Sequence, residues 1–338
     1  MPKVSVIMPA YNADKYIKEA IDSILGQTFT DFEFIILNDC STDRTEEIIL
    51  SYHDPRIVYL KNEKNLGVAA TLNKGLAAAK GEYIARMDAD DISLPERFQQ
   101  QVIFLEEHPQ VVALGSAVEQ FSGDKTLGMR SFAANGRQMD IDMLFSCGLA
   151  HPSVMLRAEA IFAQAGYDPD YEGLEDYELW WRLSGKGDIE ALPQILLRYR
   201  EHDKQVTKKP SKEYLVRFRR LKKRQMEALG LAADEVYAES YYRFCEGNRP
   251  TDLEGAKTLN AFFEMALDAN KSTCKYDQQL LERHFKCVAV NVAAGLRFSD
   301  AFKLCCVSGL VRTVPLARQK FYRLVKRLRR EPIWRKKR

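Results

Sequence analysis

The sequence predicts an α/β fold, a parallel sheet covered by helices, followed by a region that is almost entirely helical. Short apolar runs of strand length alternate with segments of helical spacing over residues 4–87, polar clusters close the apolar runs, and from Lys212 onward the spacing is helical. Alternation of that kind is the signature of strands paired in parallel through helical crossovers.

Residues 4–8 are an apolar run ending at Pro9, and residues 32–37, rich in Ile and Phe, end at Asn38-Asp39. Runs without polar alternation read as strands buried on both faces. Between them Tyr16, Ile17, Ala20, Ile21, Ile24 and Leu25 recur at helical spacing, with Asp14 as a candidate cap and Gly26 as the stop. The pattern repeats as a helix over 45–52, a strand over 57–60, a helix over 69–79 closed by Gly81, and a strand over 83–87. Further strands are expected at 111–114, 153–156 and 195–199. A domain boundary is placed near residue 208, giving an α/β domain over 1–208 and a helical domain over 209–338 punctuated by Pro210 and Pro250.

At 338 residues and 46% hydrophobic content the chain can bury a large core, which excludes disorder for most of it. The net charge of +3 hides an asymmetry. Residues 312–338 hold eight arginines, four lysines and one acid, Glu331, a net +11 that leaves −8 for the rest. Such a tail suits an anionic partner. The seven cysteines are odd in number, scattered and without a C-x-x-C pair, which argues against a disulfide framework or a structural zinc site and fits a reducing compartment. No run approaches the roughly 20 apolar residues that cross a bilayer, and Met1-Pro2-Lys3 leads straight into an apolar run too short for a leader peptide. A cytoplasmic protein is expected, peripheral at most on the inner face of the cell membrane.

Ligands of open α/β sheets bind beyond the carboxyl ends of the strands. Three polar clusters fall there: Tyr11-Asn12, Asn38-Asp39 and Asp88-Ala89-Asp90-Asp91. Three carboxylates within four residues repel one another unless solvent or a cation intervenes, and a hard divalent ion is their natural partner. A solvated turn with a helix cap accounts for the same residues, and ordinary turn chemistry accounts for Tyr11 and Asp39 taken singly. Downstream, Leu179, Trp180 and Leu183 form an apolar helical face, which sets Glu175-Asp176 at the helix start, where the helix dipole favours carboxylates.

Pro9-Ala10-Tyr11-Asn12, the run Asn38-Asp39-Cys40-Ser41-Thr42-Asp43 and Asp88-Ala89-Asp90-Asp91 after Gly81-Glu82-Tyr83-Ile84-Ala85-Arg86-Met87, in this order and spacing, resemble family 2 glycosyltransferases of the GT-A fold, over about residues 3–205. The resemblance implies an inverting transfer of a hexose or N-acetylhexosamine from a UDP-sugar to a glycan or lipid-linked oligosaccharide. It implies that Pro9, Tyr11 and Asp39 receive the base, that Asn65 and Gly67 belong to a loop closing over the nucleotide, and that Asp88 holds the ribose. Asp90 would bind Mn2+ or Mg2+ with His202 as a further ligand, Asp176 would be the general base beside Glu175, and His151 and Trp180 would line the acceptor side. Cys40 stands where glycine is usual, and Leu72-Asn73 where many members carry arginine. His53, His108 and His284 carry no pattern and are expected at the surface.

Ala317, Phe321, Leu324 and Leu328 share a stripe flanked by basic residues, with Trp334 and Arg335-Lys336-Lys337-Arg338 beyond it. That composition suits a helix in an anionic membrane interface, or one packed on the protein with a solvated basic face. No nucleic-acid motif accompanies the charge, so no nucleic-acid partner is expected. Two other functions stand beside the transferase: a nucleotidyltransferase, for which the phosphate loop after the first strand is missing, and a noncatalytic sugar-nucleotide-binding module.

Overall fold

The computed structural model describes residues 1–133, 135–203, 211–232 and 234–296. They divide into two compact units, one of Met1–Met143 with Cys147–Phe218, the other of Leu144–Ser146 with the chain from Arg219 onward. The basic stretch 312–338 lies outside the described residues, and with it the expectation of a membrane-facing helix.

In the first unit the chain begins with β1 (Val4–Ala10), α1 (Ile17–Leu25), β2 (Phe32–Asn38), α2 (Thr45–Leu50), β3 (Ile57–Lys61), α3 (Val68–Ala78) and β4 (Tyr83–Arg86). These strands pair in parallel in the order β3-β2-β1-β4, with Val6 opposite Phe34 on one side and Ala85 on the other. Every residue of β2 is buried, as expected of a run without polar alternation. Val4, Val6 and Met8 of β1 enter one core with Ile17, Ala20, Ile21 and Ile24 of α1 and with Phe32, Phe34 and Ile36 of β2. Full burial of each Val, Ile, Met or Phe side chain contributes roughly 1.5–3 kcal/mol. Asp14 does not cap α1. Tyr16 occupies the cap position without a side-chain bond, and the Asp14 N–H instead donates to Asp43 Oδ2 at 3.1 Å.

Beyond β4 the sheet is mixed: β6 and β9 pair in parallel, and the other pairs are antiparallel. The elements are β5 (Ile92–Ser93), α4 (Arg97–Glu107), β6 (Val111–Ser122), β7 (Lys125–Arg130), α5 (Gly136–Asp142), β8 (Met155–Arg157), α6 (Ala158–Ala163), α7 (Glu175–Ser184) and β9 (Asp188–Arg200). The sheet continues β4-β8-β6-β9-β5, with β8 antiparallel to both β4 and β6, and β7 paired to β6 as a hairpin. Strands β6 and β9 are much longer than the apolar runs that announced them, since each extends into residues of mixed polarity. Where the direction changes, carbonyls need donors. Two polar side chains of α4 supply them. Buried Arg97 donates from Nη2 to the carbonyls of Arg86 and Val154 at 2.8 and 3.2 Å, and Gln101 Nε2 to those of Leu114 and Ser153 at 3.0 and 2.8 Å.

The second unit holds most of α8 (Lys212–Ala228), then α9 (Glu235–Cys245), α10 (Leu253–Thr273) and α11 (Gln278–Gly295). Its centre is Phe145, ringed by Tyr241, Phe244, Phe263, His284 and Phe285 at centroid distances of 4.9–6.1 Å. Lys222, fully buried, donates from Nζ to the Leu144 carbonyl at 2.6 Å. His284 is thus not a surface residue. It lies stacked 4.9 Å from Phe145, and burial pushes its pKa down to about 4. His108 is half-buried on Phe104, and His53 is exposed. Among the described residues no helix is long and apolar enough to cross a membrane.

Candidate active site

Three strand ends deliver the site. Strand β1 runs into Pro9 and Tyr11, β2 into Asp39, and β4 into Asp88, Asp90 and Asp91, while β9 ends two residues before His202. Hydrogen bonds tie these ends together. The Asp39 N–H donates to the Ala10 carbonyl at 2.8 Å, and Asn12 Oδ1 accepts from the Thr42 N–H at 2.9 Å. Cys40 sits in the left-handed region at φ 61°, which is why glycine is the usual residue there.

Tyr11 is 51% exposed and Pro9 half-buried, so an aromatic face is open. Asp39 is only 4% exposed. Its Oδ1 accepts from Asn62 Nδ2 at 2.7 Å and the Leu66 N–H at 2.8 Å, and its Oδ2 from the Gly67 N–H at 3.1 Å. A carboxylate offers roughly four lone-pair positions, so one remains on Oδ2. Asp39 is therefore first of all the anchor of the loop that carries Asn65 and Gly67. Asn65 is exposed, and its Oδ1 accepts from the Gly67 N–H at 3.2 Å.

Asp88, Asp90 and Asp91 each present a carboxylate oxygen within 4.8 Å of the others. Asp91 is 1% exposed, and one of its oxygens, Oδ1, accepts the Arg200 N–H at 2.7 Å while Oδ2 is buried without a hydrogen bond. Burial, then repulsion from Asp88 and Asp90, pushes its pKa well above the carboxylate range. Asp90 is raised by the same two causes, burial and Asp88, against the pull of His202 and Arg86. His202 Nε2 lies 2.8 Å from Asp90 Oδ2, with its ring 5.0 Å from that of Tyr16. Crowded hard oxygens, one of them buried with no donor, and an adjacent imidazole are a donor set that fits a divalent cation.

Glu175 and Asp176 open α7. Glu175 is 7% exposed and its Oε2 accepts the Gly173 N–H at 2.6 Å. Burial, with Asp176 and Glu172 adding repulsion, pushes its pKa up to about 8. Asp176 is half-buried. Its Oδ1 accepts the Tyr177 N–H at 2.6 Å, its Oδ2 lies 3.5 Å from Cys147 Sγ, and burial raises its pKa. His151 is buried, with Nε2 2.9 Å from the Tyr167 hydroxyl, and burial beside Arg86 drives its pKa well down, so the ring is neutral. Trp180, expected to line the acceptor side, has no exposed surface. Its ring meets His151 edge-on at 5.7 Å, because the apolar face of α7 that carries it points into the core. It supports His151 and cannot itself touch an acceptor.

Arg86 is the residue that motif reading passed over. Its guanidinium is 4% exposed, ion-paired with Asp88, and interacts electrostatically with Asp90, Asp91, Glu175 and Asp176. One buried cation thus faces both acidic groups. A charged residue inside an otherwise apolar strand was the available signal. Arg200, whose Nε donates to the Asp90 carbonyl at 2.6 Å and whose Nη2 pairs with Glu19 at 2.7 Å, was likewise hidden in the end of a strand.

A mixed sheet whose parallel half ends in an acidic cluster, with a second acidic pair at a helix start, is the plan of a GT-A glycosyltransferase. Residues 5–161 match the family model described as glycosyl transferase family 2, and the chain belongs to that family. An uncharacterized glycosyltransferase of Haemophilus influenzae is 36% identical over 223 residues, 61% of this chain and 68% of the relative. Among solved structures, S. aureus TarS 1-349 in complex with UDP-GlcNAc shares the fold at TM-score 0.53 and 19% identity, over 97% of this chain and 91% of that one. The mannosyltransferase PcManGT from Pyrobaculum calidifontis in complex with GDP-Man and Mn2+ matches at TM-score 0.51 and 17% identity, over 98% and 88%.

Proposed function

We propose that this glycosyltransferase is an inverting, metal-dependent enzyme that moves a hexose or N-acetylhexosamine from a UDP-sugar to a hydroxyl of a glycan or lipid-linked oligosaccharide. The observation that carries the reading is that buried Arg86 interacts with two acidic groups, one fit for a divalent ion and the other for a base. The solved neighbours in complex with UDP-GlcNAc, and with GDP-Man and Mn2+, support a nucleotide-sugar donor and a metal.

In this reading Tyr11 stacks on the base, Pro9 shapes its seat, and the free lone pair of Asp39 Oδ2 accepts a base N–H. Asp88 takes the ribose hydroxyls, and Asp90 with His202 would hold Mn2+ or Mg2+. When bound, such an ion neutralises charge developing on the departing diphosphate. Asp176 removes the acceptor O–H proton as that oxygen forms a bond to the anomeric carbon and the bond from carbon to the diphosphate oxygen breaks. A positioned carboxylate supplies about a hundredfold to ten-thousandfold in rate. Arg86 stabilises the ionised forms of both groups. One displacement inverts the anomeric centre, so an α-linked donor gives a β product.

A screen of UDP- and GDP-sugars with Mn2+ or Mg2+, reading release of nucleoside diphosphate with an acceptor mixture, tests this. Turnover should depend on metal, vanish with chelator, and fall at least about a hundredfold in Asp176→Asn and Asp90→Ala with folding intact. Near-normal transfer by Asp176→Asn removes it as the base. Pyrophosphate release from a sugar phosphate and a nucleoside triphosphate would instead identify a nucleotidyltransferase.

A further inference from the structure

Glu172 has no part in the chemistry above, yet both of its carboxylate oxygens are engaged 104 residues away in sequence. Oε1 accepts the Val68 N–H at 2.7 Å and Oε2 the Ala69 N–H at 3.1 Å, the first two N–H groups of α3. Helix starts leave N–H groups unpaired at the positive end of the dipole. Here α3 cannot satisfy its own, since Gly67 holds the cap position without a side chain and no acid lies in the first turn. Gly67 suits this approach twice over. Its φ is +82°, and a Cβ there would stand 2.8 Å from Glu172 Oε1.

The other side of Glu172 leads to the acidic pair. Gly173 follows at φ +83°, its N–H donates to Glu175 Oε2 at 2.6 Å, and α7 begins two residues later. The Glu172 carbonyl is itself held by Arg217 Nη1 at 3.1 Å. A second fastening joins the same two segments, since Asn73 of α3 donates from Nδ2 to the Tyr167 carbonyl at 2.8 Å and accepts the Tyr167 N–H at 2.9 Å. A continuous path therefore runs from Asp39 through Leu66 and Gly67 into α3, across the Glu172 carboxylate, and on to Glu175 and Asp176.

We propose that Glu172 is a positioning residue that locks the turn bearing Glu175 and Asp176 to the loop at 65–67, so that ordering the donor loop and placing the base are one event. The inference rests on the donor and base roles proposed above. Glu172 touches no reacting atom. It acts by denying the start of α7 any position that α3 does not share. Loss of the clip leaves the loop held by Asp39, so donor affinity is retained while the base loses its placement.

Two measurements on the full chain test this. In ligand-free protein, amide exchange in Glu172→Ala should quicken about tenfold or more at Val68 and Ala69, the loss expected of a charge-assisted hydrogen bond, and also at 173–177. Glu172→Gln, which keeps one acceptor oxygen, should show a smaller change at both segments and serves alone if the alanine variant does not fold. Acceleration confined to 68–69 overturns the proposal. In transfer assays with the donor found by the screen, Glu172→Ala should lower kcat about tenfold with donor KM within about twofold, and Glu172→Gln should recover part of kcat. Equal loss in kcat and donor affinity, or an unchanged kcat, also overturns it. If the wild type turns over no donor, the assigned function fails, and the exchange measurement still decides the lock.

Discussion

Replacing Asp39 by asparagine isolates what this carboxylate does before any ligand arrives. The native group accepts three N–H donors, from Asn62, Leu66 and Gly67, at 4% exposure. Asparagine has one acceptor oxygen and an amide that can only donate. If its oxygen takes the place of Oδ1 and keeps Asn62 and Leu66, its NH2 faces the Gly67 N–H that stood 3.1 Å from Oδ2. That loses one charge-assisted bond, about 1.5–3 kcal/mol, and leaves a buried donor against a donor, about 1 kcal/mol or more. A net loss of about 2–4 kcal/mol follows, which in a unit of this size lowers the midpoint of thermal unfolding by roughly 5–15 °C. Melting followed by circular dichroism in ligand-free protein reads it directly. A change under about 1 °C would refute the claim that Asp39 anchors the loop and would leave it a ligand contact alone.

The proton on Glu175 makes a second prediction. Its folded pKa, about 8, lies above the ordinary value of 4.5. The folded protein therefore holds a proton that the unfolded chain releases, so this stabilisation is full below about pH 4.5 and is lost as pH rises to about 8, at a slope of at most about 1.4 kcal/mol per pH unit. Denaturation at pH 5, 6, 7 and 8 should find Glu175→Gln gaining on the wild type as pH rises, and a constant difference would refute it. For Trp180, which has no exposed surface, Trp180→Ala should cost about 3–5 kcal/mol of stability. The milder Trp180→Phe should lower the melting point without a selective rise in acceptor KM, and the reverse outcome would restore Trp180 to the acceptor side.

The parallel half of the sheet was legible because buried strands and amphipathic helices write different periods into the chain. Strands β1 to β4 appear within a few residues of their expected positions. The mixed half was less so. Strand β8 is three residues long, and β6 and β9, paired with each other in parallel, run far past their apolar cores into residues of mixed polarity. The helix after Tyr16 was read correctly, but its cap was not, because the Asp14 backbone has a partner in Asp43, which local sequence does not reveal.

The acidic residues could be named from their order along the chain, because strand ends in such a sheet must lie on one edge. Their availability could not. The sequence shows Asp39 and Asp91 alike as carboxylates after a strand, yet folding occupies most of one with loop N–H groups and leaves an oxygen of the other buried without a donor. His202 meets Asp90 across 112 residues, and Glu172 meets Val68 across 104. Periodicity is a property of neighbours along the chain and survives without a fold. The partner of a buried charge depends on which distant segments desolvate it, and only packing settles that.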